Sequence, residues 1–166
     1  MFARKPISLG SVPGALAKAE RYRLLNEPTE AVSICRDILD VEPGNEHALV
    51  NLILALTDEI PQDSHAFSEA LAVTQQLQSA YDRAYYAGIC WERRAKYHHR
   101  RGGHGLPSHV YEWLVQALHL FEEAERLRAP GNDDAVLRWN ACVRYLERHK
   151  EIAPRAEDVF EPIASE

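Results

Sequence analysis

Apolar residues recur along this chain at the three-to-four-residue spacing of helices that bury one side. Between Pro28 and Asp40, Ala31, Ile34, Cys35, Ile38 and Leu39 fall on one stripe. Leu49, Leu52, Ile53 and Leu56 do the same between Glu46 and Asp58. Phe67, Ala70, Leu71, Thr74 and Leu77 mark a further segment, which Asp63 or Ser64 can cap. The longest segment runs from Asp82 to Arg100 with Ala84, Ala87, Gly88, Trp91 and Ala95 on one face. Tyr111, Leu114, Ala117, Leu118, Phe121 and Ala124 follow an opening at Ser108. Leu137, Ala141, Val143 and Leu146 follow one at Asp133 or Asp134. With an initial segment from Val12 to Asn26, this predicts seven helices. Glu27-Pro28, Pro43-Gly44, Ile60-Pro61, the run from Gly102 to Pro107 and Pro130-Gly131 separate them. Strand alternation and hairpin-turn dipeptides are missing. No segment is apolar all round, so each must bury its stripe on a neighbour, and short connections make sequential helices antiparallel. The expected fold is all-α, with an N-terminal extension over 1–11, a helical domain over 12–149 and an acidic C-terminal tail over 150–166.

Two segments carry a more specific pattern. Ala31 is followed by Cys35, four residues on, and by Pro43, eight residues past Cys35, with Ile38 where a small residue is usual; Tyr22 precedes Ala31 by nine. Ala117, Phe121 and Ala124 repeat the spacing, with Pro130 one residue late, and Gly88 and Trp91 have the Gly-x-x-aromatic spacing. Here the chain resembles the tetratricopeptide repeat family, over about residues 12–149. The middle unit, with Ala70 and Thr74, lacks the closing proline, and Ala31, Ala70 and Ala117 are spaced by 39 and 47 residues against a family period of about 34. The resemblance implies a right-handed array of antiparallel helical hairpins, an α-α superhelix whose first helices line a concave groove that binds extended peptides.

Carried onto this chain, the groove positions of the resemblance include Val50, Asn51, Leu54, Tyr85, Ile89, Arg93 and Arg138. Apolar burial by Val50, Leu54, Tyr85 and Ile89 would drive binding, while Asn51, Arg93 and Arg138 would fix a peptide's polar groups. Chaperone-binding members clamp a C-terminal carboxylate with lysines, asparagines and an arginine. Asn51 matches one asparagine, but Leu16, Glu20, Asp82 and Tyr86 hold the other positions, so an acidic chaperone tail is not the expected ligand. The implied function is a non-catalytic protein-interaction module for an unidentified peptide or protein. Side chains that only pack a compact domain, self-association through an exposed helix face, and a tail that covers its own groove with Val159, Phe160 and Ile163 are the competing readings.

Charge bears on the partner. The 166 residues have a formal charge of −6, which argues against a general nucleic-acid binder. Between Trp91 and Val110, however, Arg93, Arg94, Lys96, Arg100 and Arg101 outweigh Glu92 and interleave with Trp91 and Tyr97. A phosphate or nucleic-acid patch from Arg93 to Arg101 is the alternative function; the bland reading is a solvated face paired with Glu122, Glu123 and Glu125.

Other chemistry has little support. His98, His99, His104 and His109 cluster in sequence, but among Gly102, Gly103 and Gly105 they make a loose loop, and no metal or cofactor is expected. No phosphate-binding loop, nucleophile elbow or His-Glu-x-x-His is present, so no enzyme is expected. Cys35, Cys90 and Cys142 form neither a disulfide framework nor a Cys-x-x-Cys pair and are expected as buried thiols in the cytoplasm. Pro13-Gly14 interrupts the N-terminal apolar stretch, so no signal peptide is expected. No run nears the ~20 apolar residues of a membrane helix.

Overall fold

A computed structural model describes residues 2–102 and 106–154, the side chain of Leu106 excepted. After a 3-10 turn at Leu9–Ser11 come α1 (Val12–Leu24), α2 (Pro28–Val41), α3 (Glu46–Glu59), α4 (Ala66–Thr74), α5 (Ala80–Arg101), α6 (Leu106–Leu127) and α7 (Asp134–Arg148). No strand occurs among the described residues, and the fold is all-α. Each helix packs against the next in sequence; α1 also touches α3, and α3 touches α5.

The helix ends follow local chemistry. Pro28 occupies the first turn of α2, where its missing N–H costs nothing. Asn45 caps α3 by accepting from the Ala48 N–H at 2.8 Å, and Ser79 caps α5 by accepting from the Asp82 N–H at 3.2 Å. Gly102 ends α5 with φ at +72°, a conformation that disfavours side chains. Three ends differ from the sequence pattern. Asp63 accepts from the His65 N–H in a turn before α4 instead of capping it, and α4 stops at Thr74. Helix α6 starts at Leu106, because a first turn tolerates Pro107. The buried face of α7 carries Ala135 and Cys142, with Trp139, Tyr145 and Leu146 partly buried beside them; Leu137, expected inside, is 63% exposed.

Two larger apolar clusters meet along α5. One joins Ala19, Ala31, Cys35, Leu49, Ile53, Leu56, Ala70 and Leu77 to Cys90. The other joins Ile89 and Ala95 to Leu114, Ala117, Phe121 and Cys142. Tyr86 packs against both. Ala31 and Ala117 are fully buried and Gly88 is buried, so small side chains lie where helices meet. The packing runs past both ends of the expected domain. Ile7 packs on Val12, Ile38 and Ala48, and Ile152 is buried in the second cluster. The tail's Val159, Phe160 and Ile163 lie outside the described residues.

Candidate binding groove

Helices α1, α3 and α5 line a cavity of about 580 Å³. Helix α1 supplies Glu20, Arg23 and Leu24; α3 supplies Glu46, His47, Val50, Asn51 and Leu54; α5 supplies Asp82 and Tyr86. Of the residues expected in a groove, Val50, Asn51 and Leu54 come together here. Asn51 donates to the His47 carbonyl at 3.1 Å, which holds its amide against α3. Burial pushes the Tyr86 phenol up to about 12, with the Asp82 carboxylate adding to the shift. Leu24 is 87% exposed, a large apolar side chain standing at the rim.

The other four expected residues are committed within the fold. Ile89 is 2% exposed among Leu114 and Phe121, so it offers no surface to a ligand. This corrects the sequence expectation: Ile89 lies on the side of α5 that packs against α6, whereas Asp82 and Tyr86 line the cavity. Tyr85 lies partly buried beside Arg138, its ring 5.2 Å from that of Tyr86 and 6.1 Å from that of Phe121. Arg93 donates through Nη1 to Asp58 Oδ1 at 2.5 Å, to Thr57 Oγ1 at 2.7 Å and to the Leu54 carbonyl at 3.3 Å. Arg23 Nε donates to the other Asp58 oxygen at 3.1 Å. One carboxylate on α3 thus ties together arginines from α1 and α5. Burial lowers the Arg93 pKa, and Asp58 works against that shift.

Beside this group lies a second ionic cluster. The Glu92 side chain, only 3% exposed, accepts from Lys96 Nζ at 2.5 Å and from Arg138 Nη1 at 3.4 Å. Burial alone would lower the Arg138 pKa, but the Glu92 carboxylate and the Tyr85 hydroxyl outweigh it and the net direction is upward. A carboxylate so deeply buried needs a cation beside it, and here two face it.

These pairings change the electrostatics of the groove. Arg23 and Arg93 share the single Asp58 carboxylate, and the carboxylates of Glu20, Glu46 and Asp82 outnumber the one positive charge left over around the cavity. Glu46 also accepts from the Gln78 N–H at 3.2 Å, which fixes its carboxylate in place. The result is an apolar floor with an acidic rim.

The basic segment is less available than its composition implies. Arg93 and Lys96 are paired with Asp58 and Glu92, partners different from the expected Glu122, Glu123 and Glu125. The Arg94 guanidinium lies 4.2 Å from the Phe67 ring centre and 4.4 Å from that of Trp113, a cation–π sandwich. Arg100 and Arg101 are exposed, and Arg101 donates to the Tyr97 hydroxyl at 3.2 Å. A cavity of about 650 Å³ lies between Arg94, Tyr97, His98 and Arg101 on one side and Ile60–Ser64 with Phe67 and Ser68 on the other.

The histidines that cluster in sequence part in space. His98 and His109 lie beside Trp113, while His99 faces α7; His104 is outside the described residues. Cys35, Cys90 and Cys142 are buried free thiols, raised by burial to about 11, 12 and 12 respectively, which makes them poor nucleophiles. No helix among the described residues is long and apolar enough to cross a membrane. Comparison with known proteins matches no family model, no curated protein and no solved structure.

Proposed function

We propose that this chain is a tetratricopeptide-like interaction module whose α1–α3–α5 groove binds a partner segment that is both apolar and cationic. The observation that supports this reading is the acidic rim of Glu20, Glu46 and Asp82 around Leu24, Val50, Leu54 and Tyr86. A lysine- or arginine-bearing segment would meet unneutralised carboxylates at the rim while its apolar side chains cover Leu24 and Leu54. Catalysis has no part in this reading. The buried thiols fit a reducing compartment such as the cytoplasm.

The test is fluorescence anisotropy with two labelled peptides, one alternating leucine with lysine and one alternating leucine with glutamate. The lysine peptide binds and the glutamate peptide does not. Leu24→Ser and Glu20→Lys lie on exposed positions, so they change the groove without touching the core. Each weakens binding of the lysine peptide. Equal binding of the two peptides, or variants that bind like the parent, would overturn the reading.

The second reading is anion binding beside α5, supported by exposed Arg100 and Arg101 and by the cavity at Arg94, Tyr97 and Arg101. It predicts that a single-stranded oligonucleotide binds with an affinity that falls steeply as salt rises. Binding that is absent, or insensitive to salt, removes it.

A further inference from the structure

Where the last turn of α5 meets the end of α7, three potential metal donors converge. His99 Nε2 lies 3.0 Å from Glu151 Oε1, and His149 Nδ1 lies 3.2 Å from the same oxygen. One donor atom from each of His99, His149 and Glu151 fits within 4.8 Å. The two imidazole rings are 4.7 Å apart, centre to centre. We propose that His99, His149 and Glu151 form a site for a divalent transition metal of the zinc type.

Geometry and chemistry carry the inference. Around a tetrahedral ion with bonds of about 2.0–2.2 Å, neighbouring donor atoms stand about 3.4 Å apart. Two of the three edges here are already close to that length, and the third needs only a contraction between the two histidines. Two imidazoles with one carboxylate suit zinc, nickel or copper, whereas magnesium prefers all-oxygen sites. Without metal, the carboxylate oxygen takes hydrogen bonds from both rings. With metal, each neutral ring presents an unprotonated nitrogen to the ion and carries its one proton on the other nitrogen.

The surroundings hold the donors in place. Tyr145 Oη lies 2.6 Å from His99 Nδ1, the nitrogen that faces away from Glu151. With metal on Nε2, the single proton of neutral His99 lies on Nδ1 and is donated to the Tyr145 oxygen, an orienting contact typical of metal-bound histidines; without metal, Nδ1 accepts from the Tyr145 hydroxyl instead. The His149 N–H donates to the Tyr145 carbonyl at 3.1 Å, and the Ile152 N–H to the His149 carbonyl at 3.0 Å. Buried Ile152 thereby anchors the turn that presents Glu151. The neighbouring cation Lys96 is held by Glu92, which reduces its opposition to an incoming ion.

The site combines His99 from one helix with His149 and Glu151 some 50 residues later, so it differs from the histidine cluster visible in sequence. The experiment is a zinc titration of tag-free protein by calorimetry and by competition with a chromogenic chelator, with magnesium as the comparison ion. One zinc binds per chain with a dissociation constant of ~10 µM or tighter, zinc raises the melting temperature, and magnesium does neither. His149→Ala and Glu151→Gln each weaken zinc binding by about tenfold or more, and Tyr145→Phe by roughly tenfold. His109→Ala leaves it unchanged. His149 and Glu151 lie past the end of α7, so the test does not depend on whether His99→Ala folds. No saturable zinc binding, or parental affinity in both His149→Ala and Glu151→Gln, would overturn the proposal, leaving the three groups as a hydrogen-bonded tie between α5 and the segment after α7.

Discussion

A Cβ atom placed on Gly88 would lie 2.6 Å from Cε1 and 2.8 Å from Cδ1 of Phe121. The Phe121 ring occupies the space that any side chain at position 88 would need. Phe121 is fully buried, so the ring has nowhere open to turn. Gly88→Ala is therefore expected to destabilise the protein by about 1–3 kcal/mol, the range for overpacking a core. Urea denaturation checks it. Gly88→Ala combined with Phe121→Leu should recover part of the loss, because the clash goes with the ring.

The Glu92 cluster predicts strong non-additivity. Lys96 and Arg138 each face the same nearly inaccessible carboxylate. Either Lys96→Met or Arg138→Met leaves one cation in place and should cost little. Together they strand the charge, and the double variant should be less stable than the sum of the singles by roughly 1–3 kcal/mol. A double-mutant cycle from denaturation midpoints measures this coupling. An additive result would show that water already reaches Glu92.

Arg94 acts as a spacer between aromatic rings as much as a charge. Arg94→Ala opens the gap between Phe67 and Trp113 and should destabilise by about 1 kcal/mol. Tryptophan emission should shift to the red as Trp113 and Trp91 gain water. Arg94→Lys keeps the charge but loses the flat stacking surface, and should fall between the two.

The thiols set an alkaline limit. Their folded pKa values lie at about 11 to 12 against an ordinary 9.0. Below pH 9 they are protonated in both states and the fold keeps their full contribution. As pH rises from 9 toward 12 the unfolded chain loses these protons first, so stability falls. Urea midpoints between pH 8 and pH 10.5 should decline, and less steeply in Cys142→Ala. At pH 8 a thiol-labelling reagent should react only at the rate of unfolding, with no fast phase.

Seven helices were legible because Pro43-Gly44, Pro130-Gly131 and the glycine-rich stretch after Arg101 interrupt clear stripes. The face of α7 was not, since both Leu137-Ala141 and Ala135-Trp139-Cys142 satisfy helical spacing and only packing against α6 separates them. Val50, Asn51 and Leu54 were legible as a group because they share one helix face. The commitments of Arg93 and Arg138 were not, because Asp58 and Glu92 lie 35 and 46 residues away. His149 and Glu151 escaped notice for the same reason: histidine density in sequence pointed to the residues around Gly102, while the partners of His99 come from the last turn of α7 and the segment after it.

Ile152 has a practical consequence for anyone shortening this protein. It plugs the second apolar cluster from a point past the end of α7. A boundary drawn at the end of α7 would pull out that plug and leave a water-accessible hole in the cluster. A cut or fusion joint placed after Pro154 keeps the seal.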